Sequence, residues 1–399
     1  MNIAFVEGRV FIGNGEVLEN GTVMVEGNRI LKVTEGNIRA PRDFRIIPLA
    51  GRTLLPGFID CHVHLCLDGS PDPIGVFNSE SLPMSTLKAV EFAKKTVMAG
   101  ITTVRDAASV GGIDLALRDA VRAGLISGPR ILASRLSIAM TGGHGWNMDC
   151  READGPYEVM KAVREQIKGG ADVLKFMATG GVMTPGEEPG GEQFTEEELR
   201  AGIHEAHKAG KKTLTHAQGT QGILNALRAG IDSIEHGVFL NEEAISLMLK
   251  KDVPLVPTLT CLYNIQSKGV AAGIPAFAVD KTVKVWPSHQ KSAVMAREAG
   301  VRVAMGTDAG SCSNLHGNNL EELRHLLEVG YSPMDALQSG TQIGAEVLGL
   351  ENELGTIEEG KLADMIVVAG NPLQDIGILL DSETITFVMQ DGKLVKGEA

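Results

Sequence analysis

Two histidines separated by one valine, His62-Val63-His64, end an apolar run that begins at Phe58. The run is partly β-branched and reads as a buried strand over 58–63. Residues i and i+2 of a strand share a face, so both imidazoles project together from its C-terminal end. Neutral imidazole is the commonest metal ligand, and Zn–N bonds of about 2.0–2.1 Å suit such a pair. A single His-x-His also occurs as a polar pair in a loop, so a metal site needs further ligands from elsewhere in the chain.

Four more residues stand at or just past the ends of apolar runs. They are Lys175 in Val173-Leu174-Lys175-Phe176, His216 in Leu214-Thr215-His216, His236 in Ile234-Glu235-His236, and Asp308 after Met305-Gly306-Thr307. A lysine inside an apolar strand must be paired or lose its charge. A neutral lysine amine reacts with carbon dioxide to give a carbamate, an anionic group whose two oxygens can bridge two cations. Metal coordination lowers the pKa of water to about 7, and a pair of ions about 3.5–4 Å apart can share the hydroxide and polarise a carbonyl. The expected arrangement places His62, His64, Lys175 and Asp308 on one ion and Lys175, His216 and His236 on the other. Asp308 then takes the proton from the attacking hydroxide and passes it to the leaving nitrogen.

Such a set needs elements whose ends converge. From residue 56 the pattern repeats strand, loop, helix. Strands are predicted at 58–63, 101–105, 130–133, 173–176, 213–215, 233–235, 255–257 and 302–306, and helices at 86–99, 157–168, 196–209, 242–250 and 334–348. Eight alternating units predict an α/β fold with a (β/α)8 TIM barrel, whose chemistry lies at the strand C-termini. Residues 3–6, 10–12, 22–25 and 30–33 are short β-branched runs, separated by the turn pairs Asn14-Gly15, Asn20-Gly21 and Gly27-Asn28. The β pattern returns after the last helix. The expected domains are therefore a barrel over 56–352 and a small discontinuous β-sandwich from 1–55 and 353–399.

Composition removes other classes. The chain has 399 residues, a net charge of −13 and no basic tract, which argues against a nucleic-acid partner. Five scattered cysteines with no CxxC suit a reduced, cytoplasmic setting. Neither a signal peptide nor a membrane span is expected.

The set His62-Val63-His64, Lys175, His216, His236 and Asp308 resembles, in order and spacing, the binuclear metal set of the amidohydrolase superfamily. Leu55-Pro56-Gly57-Phe58-Ile59-Asp60, Gly100-Ile101-Thr102-Thr103, Gly306-Thr307-Asp308-Ala309-Gly310 and Gly360-Lys361-Leu362-Ala363-Asp364 carry the same resemblance. Within it the chain resembles the imidazolonepropionase-related branch. Thr141-Gly142-Gly143-His144-Gly145 and Met177-Ala178-Thr179-Gly180-Gly181-Val182 are similar to segments of that branch's metallo-dipeptidases. The resemblance implies hydrolysis of Xaa-Pro or Xaa-basic dipeptides or N-acyl amino acids, two divalent ions such as Zn2+, a carbamate on Lys175, and a homo-oligomer. It also implies that His144 holds the substrate carbonyl or its oxyanion.

Tyr263 and His316 are further candidates for substrate contact, and Trp146 for the pocket lining. Met140, Met177 and Met183 are expected in the core, and Arg105-Asp106 as a structural ion pair. Cyclic-amide hydrolysis and deamination are the alternatives within the superfamily. Deaminases there typically lack the lysine and carry a glutamate where this chain has Gly219. A non-catalytic binding protein on the same scaffold is a third alternative, against which the complete ligand set argues.

Overall fold

The apolar runs after residue 56 form the strands their patterning predicts. In the computed structural model, which describes residues 2–36, 41–148 and 150–397, Phe58–Val63 pairs in parallel with Ile101–Asp106, and that strand with Arg130–Ala133. A second parallel series runs through Leu174–Met177, Thr213–Ala217, Ser233–His236 and Leu255–Val256. Backbone hydrogen bonds join the two series at both seams. On one side Asp172 N donates to Ala133 O at 2.7 Å. On the other, Leu255 N donates to Arg302 O, Cys61 N to Met305 O and Asp308 N to His62 O, at 2.9, 2.9 and 2.7 Å. The order is that of a (β/α)8 ring, with all the strand C-termini at one mouth.

The eighth position departs from expectation. Residues 302–306 form one isolated bridge, Val303 with Leu255, rather than a ladder. Gly306 explains part of this, since a Cβ there would lie 2.2 Å from Val256 Cγ1. The Val256 side chain takes the space a side chain at 306 would need. The helix predicted over 334–348 is also two helices, Pro333–Ser339 and Gln342–Leu348. Between them Gly340 O accepts from Ile59 N at 2.7 Å, and Ser339 O from Met305 N at 3.0 Å. Carbonyls spent on closing the barrel floor cannot also continue a helix.

The terminal segments meet in one sheet. Its order is Lys393–Lys396, Ile385–Gln390, Met365–Val368, Thr53–Pro56, Asn2–Phe11, Val17–Glu26 and Arg29–Glu35, with Arg45–Pro48 beside Asn2–Phe11. Phe5 and Phe387 lie three strands apart along this path, which in a flat sheet is roughly 14 Å. Their rings stand 5.3 Å apart, edge to face. The sheet therefore folds over on itself around a shared core that includes Val23, Leu54, Met365 and Met389. The expected Asn20-Gly21 turn is instead strand interior: Gly21 faces Gly8, and a Cβ on it would meet Val10 Cγ2 at 2.7 Å. Among the described residues no helix is long and apolar enough to cross a membrane.

Candidate metal centre

The barrel mouth brings together all six residues that the strand ends single out. His62, His64, Lys175, His216, His236 and Asp308 line one cavity together with His144. His62, His64 and Asp308 converge most closely: one ligand atom from each lies within 4.8 Å of the others. His64 Nε2 is 3.1 Å and His62 Nε2 3.7 Å from Asp308 Oδ1. The His216 and His236 rings stand 4.5 Å apart, and His62 and His236 5.1 Å. Lys175, only 1% exposed, shares the cavity.

Each imidazole is tied through one nitrogen to an acceptor, which fixes its tautomer. His62 Nδ1 donates to Glu235 at 2.8 Å and His64 Nδ1 to Ala108 O at 3.1 Å. His216 Nε2 donates to Gly180 O at 3.0 Å. His236 Nδ1 donates to Thr258 Oγ1 at 2.7 Å, because the hydroxyl's own proton goes to Pro257 O. His62, His216 and His236 keep the other nitrogen as a lone pair, while His64 Nε2 lies against Asp308 Oδ1. Burial holds His62 neutral, with its pKa down at about 4, and Lys175 adds to the effect. Burial likewise pulls His216 and His236 well below the usual imidazole range. Burial opposes ionisation of Asp308. The His64 hydrogen bond and the fields of the surrounding imidazoles outweigh it, so the carboxyl sits well below its usual range. Neutral imidazoles beside an ionised carboxylate are the donor set a divalent cation requires, and the residues fit such a group.

The backbone is strained where it presents these groups. His236, Thr258 and Asp308 have φ of +68°, +53° and +60°, each costing about 1–3 kcal/mol for a non-glycine residue. Asp60 braces the Asp308 turn, accepting from Thr307 N, Thr307 Oγ1, Asn319 Nδ2 and His62 N. Burial raises its pKa to about 6 against those bonds.

Several positions differ from expectation. Arg105 pairs not with Asp106 but with Glu235, at 2.8 Å, and also donates to Ser233 Oγ and Cys61 O. Glu235 thus carries both Arg105 and His62, and these neighbours hold its pKa down at about 2 although burial pushes the other way. The argument that singles out Lys175 applies equally to Glu235 and Arg105, which are charges inside apolar strands. Met177 and Met183 pack in the core as expected but also line the cavity, as does Met148, whereas Met140 packs against the core outside the lining. Trp146 is 51% exposed and outside the lining. Tyr263 also lies outside it, its ring 4.3 Å from His325 and 6.1 Å from Trp286. His316 is buried behind the mouth, stacked on Phe92 and bonded through Nε2 to Leu67 O at 2.9 Å. Helix packing consumes both side chains.

Residues 53–395 match the model of the amidohydrolase family. The chain is 30% identical to an ochratoxinase of Aspergillus niger over 98% of this chain and 86% of that one. A crystal structure of a Xaa-Pro dipeptidase with methionine in its active site is similar over the whole of both chains, at 34% identity and a TM-score of 0.91. So is that of a prolidase complexed with N-methylphosphonate-L-proline, at 33% and 0.93.

Proposed function

The chain belongs to the amidohydrolase family and is a hydrolase of carbon–nitrogen bonds, and on that premise we propose that it cleaves the amide bond of an N-acyl amino acid or dipeptide. The observation that supports this most is the convergence of four tautomer-fixed imidazoles, Lys175 and Asp308 on one cavity. His62, His64 and Asp308 would hold one divalent ion, such as zinc. His216 and His236 would hold a second. A carbamate on Lys175 would bridge them, giving the second group the anion that two neutral imidazoles lack. When bound, such ions make a nucleophile of water near neutral pH and polarise the scissile carbonyl.

The chain's own groups do the rest. Asp308 accepts the proton of the attacking water and hands it to the leaving nitrogen. His144 hydrogen-bonds the carbonyl oxygen as charge develops on it. Leu67, Ile74, Met148, Met177, Val182 and Leu262 give the cavity an apolar lining. Among the described residues that line it, Asp308 is the one acid. A basic substrate side chain would have to compete for Asp308, so the lining favours apolar substrate side chains over arginine or lysine. The name of the Xaa-Pro dipeptidase agrees with cleavage of an amide bond at a proline.

The test is hydrolysis by zinc-loaded protein of a panel of N-acyl amino acids and dipeptides, with cyclic amides and amino-heterocycles alongside. Turnover of apolar N-acyl amino acids or Xaa-Pro dipeptides is expected. Turnover confined to the cyclic amides or to deamination would remove the substrate assignment.

A further inference from the structure

His144 comes from the 140–148 loop, yet its Nδ1 is held by the loop at 179–193. Its Nδ1 donates to Glu187 Oε1. The same oxygen accepts from Gly181 N at 2.8 Å, and Glu187 Oε2 accepts from Gln193 Nε2 at 2.7 Å. Gln193 Oε1 closes the ring by accepting from His144 N at 2.9 Å. Main chain and side chain of His144 are therefore tied to one carboxylate–carboxamide pair.

The faces of the ring are set as well. One stacks on His216 with ring centres 4.1 Å apart and planes 25° from parallel. Gly181 lies against the ring too: a Cβ there would fall 2.3 Å from His144 Cε1 and 2.8 Å from Nε2. Gly181 is not in the left-handed region, so its missing side chain is a matter of space for the imidazole. Lys281 pins this loop from outside, donating to Thr184 O at 2.7 Å and to Gly181 O at 3.2 Å.

We propose that Glu187, with Gly181 as the seat beneath the ring, is the positioning residue that aims His144 Nε2 into the cavity. With Nδ1 held by Glu187 and one face against His216, the ring has neither a free flip nor a free tilt. Donation from Nε2 to the substrate oxygen while Nδ1 donates to Glu187 requires the doubly protonated imidazole, whose two N–H groups these two acceptors take. A hydrogen-bonding group acts on a developing oxyanion only when it is already in place, because reorientation during the reaction costs what the bond gains. Glu187 does not touch substrate; it acts through His144. The inference rests on the assignment of His144 to the substrate carbonyl made above.

The experiment is a double-mutant cycle on the zinc-loaded protein, read as kcat and KM separately. Glu187→Ala is expected to lower kcat by about 10–100-fold, as loss of an orienting partner does, with KM within about threefold. Glu187→Gln, which keeps an acceptor for Nδ1, should recover most of that loss. Gly181→Ala should lower kcat by an independent, steric route. In a His144→Asn background both substitutions should cost no more than about twofold, because the group they aim is gone. Imidazole nitrogen NMR supplies a readout free of turnover: Nδ1 of His144 is protonated in the parent and loses that fixed state in Glu187→Ala. Losses that multiply in the His144→Asn background, or an unchanged Nδ1 signal in Glu187→Ala, would overturn the proposal. A fully active His144→Asn would instead remove the role given to His144, while the NMR result still decides whether Glu187 orients it.

Discussion

The floor of the cavity and its wall hold polar groups by different means. On the floor, His62, His216 and His236 end barrel strands; the acceptors of His216 and His236 lie in the turns after neighbouring strands, and that of His62, Glu235, lies on a strand across the barrel. The sheet register fixes both at once. On the wall, His144, Thr184, Glu187 and Gln193 belong to loops and are held by contacts across 6 to 49 residues of sequence, with Lys281 of a distant helix as the outer pin. A floor built on the sheet stays in place without substrate, whereas the wall's geometry depends on each of its few bonds. The floor therefore suits metal and chemistry, and the wall suits alignment and choice of substrate.

The sharpest way to break this division is to remove Lys175, the group proposed above to join two ion sites. Lys175→Ala should abolish hydrolysis, with a loss of at least about 10³-fold, and leave less than the full complement of bound metal by elemental analysis. Full zinc content and activity in that variant would end the bridging assignment. Asp308→Asn is expected next in size, with kcat lower by about 10²–10⁴-fold and metal largely retained. Retained activity would remove its proton transfer.

Glu235→Leu leaves Arg105 buried and His62 without its orienting acceptor. Removing one partner of a buried pair costs about 3–5 kcal/mol, to be measured by denaturant unfolding together with zinc affinity. A neutral outcome would show that the floor does not depend on that pair. Lys281→Met should change the wall alone, with KM rising a few-fold while zinc content stays the same. Loss of metal in that variant would show that wall and floor are one unit.

The smallest expected effect concerns His325, which packs against Tyr263 away from the cavity lining. Burial lowers its pKa from the usual imidazole value, against the opposing pull of Glu328. A histidine held neutral by the fold takes up its proton on unfolding. Stability should therefore fall as pH drops below about 6.5, and His325→Leu should make the thermal midpoint less sensitive to pH there. An unchanged slope would assign the pH dependence to other groups.

The candidate ligands were legible in the chain because a strand's period of two and a barrel's common mouth turn sequence position into direction. His62 and His64 share a face for that reason, and the others end strands of the same ring. The charge pairing was less legible. Glu235 and Arg105 are visible as charges in apolar runs, but their 130 residues of separation hide which partner each takes. The wall was hardest to read. Tyr263 and His316 look as available in sequence as His144 does, but helix packing turns the first toward His325 and the second behind the mouth.

The sequence by itself determined the alternation of strands and helices, the six residues at the strand ends and the two β-rich termini. These follow from local periodicity and from the cost of burying charge. Only the tertiary structure decided which nitrogen of each imidazole faces the cavity, which side chains line it, and that Glu187 holds His144. Each of those depends on atoms brought together from distant parts of the chain, and local pattern carries no record of such distances.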